Sequence, residues 1–186
     1  MQPATKDPVV IVLAAGRGER FTASGGRVHK LQAVLAGKPV LAHVLDAVRA
    51  SGLPFHVVTA DAALQGMGDS IAAGVRATQQ AAGWLILPGD LPLVQPATLR
   101  AVADALVSHA VVVPVCGGQR GHPVGFSAAC RADLLNLKGN QRAAPVVRTQ
   151  AAINLVAFLA LDDVGILTDI DTLGDLQRAE TLLLKA

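Results

Sequence analysis

The chain has 186 residues, of which 52% are hydrophobic and 16% charged, and this composition predicts one domain spanning residues 1–186 without long disordered tails. A net charge of +2, four Phe, one Trp and no Tyr argue against a nucleic-acid partner, which calls for basic surfaces or aromatic stacking platforms. The two cysteines, Cys116 and Cys130, form no CxxC motif or Cys/His cluster, which argues against a zinc site or a disulfide scaffold.

The sequence also offers no membrane-spanning segment, because its uninterrupted apolar runs are far shorter than the roughly 20 residues that a spanning helix needs. The N-terminal stretch MQPATKDPVV lacks the pattern of a signal peptide, since its apolar run is a short strand. We therefore expect a cytoplasmic protein with no membrane partner.

In chain order, short apolar segments alternate with helical patterns. Buried strands are predicted at residues 9–13, 56–59, 84–87 and 110–115. Helices are predicted at residues 39–50, 69–80 and 96–108. This alternation predicts an α/β fold with a mainly parallel sheet, helices on both faces, and a ligand site beyond the carboxyl ends of the strands.

The pattern changes after Val115. Gly117 and Gly118 predict a tight turn from which residues 122–126 return as an extended segment. Two helices at 128–137 and 142–150, a strand at 154–161 and a last helix at 173–185 complete the prediction. We expect this second half to cover one end of the sheet rather than to form a domain of its own.

The segment VVIVLAAGRGERFTASGGRVHKL, residues 9–31, joins the first strand to a loop rich in glycine and positive charge. Gly16 and Gly18 permit a backbone in which successive N–H groups converge on an anion, and Arg17, Arg20 and Lys30 can neutralise its charge. The pattern indicates a polyphosphate site. The alternative interpretation is an ordinary exposed loop between a strand and a helix.

Two other phosphate-binding loops fit less well. No GxxxxGK followed by Ser or Thr occurs in the chain, so a P-loop is excluded. A dinucleotide-binding GxGxxG motif would need glycine where Phe21 stands, and no acidic residue lies between Glu19 and Asp46 to bind a ribose. An NAD(P)-dependent oxidoreductase of the same fold class is therefore the weaker alternative.

Six segments taken in order resemble the nucleotidyltransferases that attach a nucleotide to molybdopterin, in particular the molybdenum cofactor cytidylyltransferases. The segments are LAAGRGERF…HKL, GKPVLAHVL, GMGDSIAAGV, LPGDLPLV, QRGHPVGF and DIDT. The resemblance implies a three-layer α/β/α Rossmann-like sandwich, similar to the nucleotide-diphospho-sugar transferases. It also implies transfer of CMP from CTP to the phosphate of molybdopterin with release of pyrophosphate.

The resemblance places the triphosphate on the loop that follows the first strand. The corresponding residues are Leu13, Ala14, Ala15, Gly16, Arg17, Gly18 and Lys30. It makes Asp90 a ligand of Mg²⁺ and, with Arg17 and Lys30, a catalytic residue. The alternative for Asp90 is a local turn between two prolines.

A second metal ligand is expected from TDIDT. Asp169 and Asp171 alternate and so share one face of an extended chain, and we favour Asp169. Asp171 could instead cap the last helix.

The turn GMGDS is predicted to bind the base. Its residues are Gly66, Met67, Gly68, Asp69 and Ser70. The glycines would let the backbone approach a flat ring, although Asp69 or Ser70 could serve only as a helix cap. The resemblance favours CTP and leaves GTP and ATP open.

The segment RGHP, with Arg120, Gly121, His122 and Pro123, is predicted to hold the acceptor, since Arg suits a phosphate by bidentate donation. It could instead be only the exposed rim of a hairpin. The resemblance also implies transient contact with a molybdoenzyme, or its chaperone, that receives the product.

The chain departs from the family after the hairpin. GNQRAAP replaces the usual GDxGAR-like motif. Asn140 takes the place of an acidic residue, and Arg142 takes the place of a glycine. This departure leaves another phosphorylated acceptor open.

Overall fold

The computed structural model of the protein describes residues 7–185. Residues 1–6, part of the segment predicted to carry no signal peptide, lie outside the described residues. The strands are β1 Val9–Ala14, β2 Val34–Leu35, β3 Lys38–Pro39, β4 Phe55–Thr59, β5 Gly83–Pro88, β6 Val111–Cys116, β7 Gln119–Arg120, β8 Val124–Ser127 and β9 Val156–Ala160. The α-helices are α1 Glu19–Ala23, α2 Val40–Ser51, α3 Met67–Ala77, α4 Pro96–Ala105, α5 Arg131–Leu135, α6 Ala144–Ala151 and α7 Leu173–Leu183.

Seven of the strands form one sheet in the order β4-β1-β5-β8-β6-β7, and β9 pairs with β6. β1 runs parallel to both β4 and β5, and β6 runs parallel to β9. β8 is antiparallel to β5 on one side and to β6 on the other. The predicted α/β fold with a mainly parallel sheet is thus confirmed.

The sheet has a hydrophobic core on each face, because alternate residues of a strand point to opposite faces. Ile11 of β1 packs with Trp84 of β5 and with Ile71 of α3 on one face. Val10 and Val12 join the other face, whose core includes residues of α2 and α4. Strands buried on both faces read as uniformly apolar runs, which is why their positions were predicted to within one residue.

A third, smaller core lies under the loop that follows β1. It joins Phe21 of α1 and Leu31 to Ile170 and to Ala179 of α7. This core fixes the loop against the C-terminal part of the chain and so brings distant segments to the same edge of the sheet.

Two predictions need correction. The second half does not merely cover one end of the sheet, because β7, β8 and β9 extend the sheet itself. Asp171 does not cap the last helix either, since the Oγ1 of Thr172 accepts the N–H of Asp175, and the Asp175 carboxylate completes a capping box. None of the helices within residues 7–185 combines the length and apolar character that a membrane crossing requires.

Candidate active site

A cleft of about 760 Å³ opens at the carboxyl ends of β1 and β5. Because β8 is antiparallel to these strands, the segment that precedes β8 reaches the same edge. The predicted site residues that line the cleft are Leu13, Ala15, Gly16, Arg17, Gly18, Lys30, Gly66, Met67, Ser70, Asp90, Arg120, Gly121, His122 and Asp169. Four predicted residues are absent from its lining, namely Ala14, Gly68, Asp69 and Pro123.

The loop after β1 folds back on itself through one histidine ring. The Nδ1 of His29 accepts the N–H of Leu31, so in a neutral ring Nε2 carries the proton and donates to the carbonyl of Gly16 at 2.7 Å. Gly18 has a φ of 68° and directly precedes α1, a five-residue helix within a stretch predicted to be irregular. The loop therefore has a defined shape before any ligand binds.

Two cations of this loop meet two carboxylates from distant parts of the chain. The Nζ of Lys30 lies 2.5 Å from Oδ2 of Asp90 and 2.9 Å from Oδ1 of Asp171. The other oxygen of Asp171 lies 2.6 Å from a guanidinium nitrogen of Arg20. Burial by itself would lower the pKa of Lys30, but the charge of Asp90 and hydrogen bonds to both carboxylates outweigh burial and raise that pKa above its ordinary value. Lys30 is therefore a full positive charge at neutral pH.

The same region has features that suit a divalent cation. Oδ1 of Asp90 is buried and has no hydrogen-bond partner among the described residues. Burial, together with the charges of Asp171 and Asp90, raises the pKa of Asp169. A bound cation would pair with Oδ1 of Asp90. It would also offset the repulsion between Asp169 and the neighbouring carboxylates.

The protein supplies few metal ligands of its own. The described residues contain no group of three or more His, Cys, Asp or Glu side chains arranged to hold a metal. Mg²⁺ is usually bound by one or two carboxylates together with substrate phosphates and water, so the residues present fit this ion in a nucleotide complex.

The GMGDS turn is held by hydrogen bonds to the backbone of Gly139, a residue far along the chain. The Asp69 carboxylate accepts the N–H of Gln65 and the N–H of Gly139, each at 3.0 Å, and Gly139 in turn accepts the N–H of Gly68 at 2.8 Å. A Cβ on Gly66 would lie 2.3 Å from the backbone of Gly139. These glycines thus serve the contact between two protein segments, a reason that differs from the predicted approach to a base.

The RGHP segment forms the opposite part of the cleft. The guanidinium of Arg120 lies over the ring of Phe158 at 4.6 Å, and the backbone N–H of His122 donates to the carbonyl of Ile166. Burial, with a smaller contribution from Arg142, lowers the pKa of His122 although Asp90 opposes this shift. The ring is therefore neutral at pH 7, and its buried Nδ1 has no partner among the described residues.

Sequence analysis named Arg20 only as a charge of the basic loop and Asp171 only as the less favoured metal ligand, and it did not assign Asn140 or Arg142 to the site, although all four line the cleft. For Arg20 the signal was its place in the basic loop. For Asn140 and Arg142 it was the departure of GNQRAAP from the expected string. Asp171 was considered as a metal ligand but ranked below Asp169.

The profile of the MobA-like NTP transferase domain matches residues 10–154. A nucleotidyl transferase from Methanothermobacter thermautotroptrophicus superposes with a TM-score of 0.80 at 23% identity, covering 97% of this chain and 99% of that one. Molybdopterin-guanine dinucleotide biosynthesis protein A from Archaeoglobus fulgidus superposes with a TM-score of 0.65 at 18% identity, covering 96% and 100%. At these identities the two structures show a shared fold.

Curated relatives include the bifunctional protein GlmU of Xylella fastidiosa. It is 30% identical over an alignment 143 positions long, which covers 66% of this chain and 30% of the relative. The chain spans a quarter to about a third of the length of the curated relatives that it matches.

Proposed function

This chain belongs to the MobA-like NTP transferase domain family, and from this premise we propose that it transfers CMP from CTP to the phosphate of a molybdopterin-type acceptor and releases pyrophosphate. The observation that carries the proposal is the cluster of Lys30, Asp90 and Asp171 beside the glycine-rich loop. It supplies positive charge for phosphates and carboxylates for a cation at one point of the cleft. We further propose that residues 1–186 act as a single domain.

The triphosphate is proposed to lie along the loop that follows β1. The side chain of Arg17 is 82% exposed there, and its guanidinium lies 3.6 Å from Glu19, so it can turn to a ligand at little cost. Gly16 has open space where a Cβ would be, which leaves room for phosphate oxygens against the backbone. Lys30 adds a charge deeper in the cleft.

Asp90 and a carboxylate from the Asp169 and Asp171 pair are proposed to hold Mg²⁺. Asp171 is favoured over the predicted Asp169, because its Oδ1 and Oδ2 of Asp90 already share one positive charge between them. When bound, the metal would neutralise charge on the triphosphate and on the transition state.

The reaction asks little acid–base chemistry of the protein. A phosphate monoester has a second pKa near ~6, so the attacking oxygen is largely ionised at neutral pH. Catalysis then consists of positioning and charge stabilisation. A neutral His122 fits this scheme as a hydrogen-bonding group of the acceptor site rather than as a proton carrier.

CTP is proposed as the donor because LAAG and the GMGDS turn resemble the cytidylyl enzymes. Molybdopterin is proposed because the Archaeoglobus fulgidus protein of the same fold carries that substrate in its name. Arg120 and His122 line the cleft where the acceptor phosphate would bind, and Arg142 adds a second guanidinium to its lining.

Two measurements test the proposal. Thermal unfolding with CTP, GTP, ATP or NADPH, each with and without Mg²⁺, reports selective binding, because a ligand of the native state raises its stability. We expect the largest stabilisation by CTP with Mg²⁺. Stronger stabilisation by NADPH would support the oxidoreductase alternative instead.

Pyrophosphate release from CTP in the presence of molybdopterin tests the reaction itself. We expect release that depends on both substrates and on Mg²⁺. Lys38→Gln serves as a matched control, because Lys38 also pairs with a carboxylate, Asp46, but on the exposed surface. It should react at the rate of the unmodified protein.

A further inference from the structure

A side chain of the protein occupies the space between the two carboxylates that we assign to the metal. The Nζ of Lys30 is within 3 Å of both Asp90 and Asp171. The Lys30 side chain is 13% exposed, so its charge is balanced by these carboxylates rather than by water. In the protein alone, the cation of this site is Lys30.

An ammonium group and a divalent metal ion cannot share that position. Both would bind the carboxylates of Asp90 and Asp171, and at such separations two positive charges repel strongly in a partly buried site. Arg20 further opposes metal binding, because its guanidinium lies 2.6 Å from the second oxygen of Asp171. A metal ion can therefore take its place only if the Lys30 ammonium leaves.

The Lys30 ammonium has a second position within reach, beside the glycine-rich loop. The Cγ of Lys30 would lie 3.4 Å from a Cβ on Gly18, so its stem runs beside the glycine-rich loop. Its backbone carbonyl accepts the N–H of Ala33, and the carbonyl of the preceding His29 accepts the N–H of Gln32. The flexible four-carbon stem can turn the ammonium from the carboxylates to phosphates on the loop while the backbone stays fixed.

We propose that Lys30 is the resident counter-ion of the Asp90 and Asp171 pair, and that a divalent metal enters by exchange with it while the Lys30 ammonium moves to the triphosphate. The inference rests on the proposed function. Metal alone binds weakly because nothing attracts Lys30 away. Triphosphate and metal therefore favour each other's binding, and by linkage this coupling is equal in both directions.

The direct test measures Mn²⁺ binding to the protein without nucleotide, by electron paramagnetic resonance. Lys30→Gln removes the resident charge and should bind Mn²⁺ about tenfold more tightly than the unmodified protein. Lys30→Arg retains the charge and should bind Mn²⁺ as weakly as the unmodified protein. Lys38→Gln removes a lysine from an exposed ion pair and should change nothing. Equal Mn²⁺ affinity in Lys30→Gln and the unmodified protein would overturn the exchange.

A second measurement uses the unmodified protein, so it holds even where Lys30→Gln fails to fold. The ammonium of Lys30, bound to two carboxylates, can be followed by NMR of ¹⁵N-labelled lysine. Mg²⁺ alone should leave its signal in place, whereas Mg²⁺ with CTP should shift it. An unshifted signal in the presence of bound Mg²⁺ and triphosphate contradicts the exchange. The absence of binding by any triphosphate contradicts the proposed function instead, so the two failures are distinguishable.

Discussion

Lys30 and Asp90 lie 60 residues apart in the chain, yet their Nζ and Oδ2 atoms are 2.5 Å apart in the cleft. β5 ends at Pro88, and Asp90 follows after Gly89, whose N–H donates to the carbonyl of Leu13 near the end of β1. Lys30 ends the loop that leaves β1. The pairing of these two strands therefore brings together a positive charge proposed to bind phosphate and a carboxylate proposed to bind the metal.

Asp90→Asn should abolish most of the turnover while keeping the fold. Asn retains the shape of the side chain but lacks the negative charge that a hard divalent cation requires. We expect pyrophosphate release at limiting Mg²⁺ to fall at least about 100-fold, with a nearly unchanged melting temperature without nucleotide. Asp46→Asn, which alters an exposed acceptor of Lys38, is the control. Near-normal turnover in Asp90→Asn would limit Asp90 to its contact with Lys30.

A comparison of Asp171→Asn with Asp169→Asn identifies the second metal ligand. Asp171 shares Lys30 with Asp90, whereas no ion pair of Asp169 is found among the described residues. We expect Asp171→Asn to raise the Mg²⁺ concentration for half-maximal turnover about tenfold or more, and Asp169→Asn to raise it less. A larger increase for Asp169→Asn than for Asp171→Asn in a Mg²⁺ titration would identify Asp169 as the second metal ligand instead.

Asp69→Ala should loosen the GMGDS turn although Asp69 is absent from the cleft lining. The change leaves the N–H groups of Gln65 and Gly139 without their acceptor, and because water can reach these partly exposed groups the cost is about 0.5–1.5 kcal/mol of unfolding free energy. We expect lower stability in urea and a higher KM for the nucleotide. Asp61→Ala, which removes only a local bond to Ala63, is the matched control. If Asp69→Ala and Asp61→Ala have the same stability and the same KM, the contact between Asp69 and Gly139 contributes nothing to either quantity.

The half-buried His122 should make the protein less stable in mild acid. Its pKa in the folded state is below the ordinary value of 6.5, so below that pH the unfolded chain takes up a proton that the folded chain refuses. The free energy of unfolding contributed by the neutral ring is present above pH 6.5 and is lost as the pH falls toward the lowered pKa.

His122→Gln should remove this part of the pH dependence. The measurement is urea unfolding at about one pH unit on either side of the ordinary His pKa, for this variant, for the unmodified protein and for His109→Gln as an exposed control. An unchanged acid dependence in His122→Gln would show that other groups are responsible.

The sequence predicted the strands of the sheet better than the contacts of the site. Strands such as β1 and β5 are buried on both faces and leave uniform apolar runs, which is a local signal. The bond between Asp69 and Gly139 joins residues 70 positions apart, and that between Lys30 and Asp171 joins residues 141 positions apart. No local pattern encodes such pairs. They arise from the order of the strands and from the small core around Phe21 and Ile170.

The glycines of GMGDS illustrate the same limit. The sequence showed that residues 66 and 68 need a close approach, but the partner that approaches is the backbone of residues 138–141 rather than a ligand. A glycine in the sequence indicates that a side chain would not fit, and only the structure shows which atoms occupy that space.

The single antiparallel strand between β5 and β6 has a consequence for how such proteins can diversify. Because β8 enters the sheet from the edge where β1 and β5 leave it, Arg120 and His122 reach the cleft on a short hairpin. The glycine-rich loop arrives there from the opposite flank of β5. The two halves of the cleft thus come from separate segments of the chain. A chimera that receives residues 117–123 from another family member should acquire that member's acceptor preference and keep its own donor.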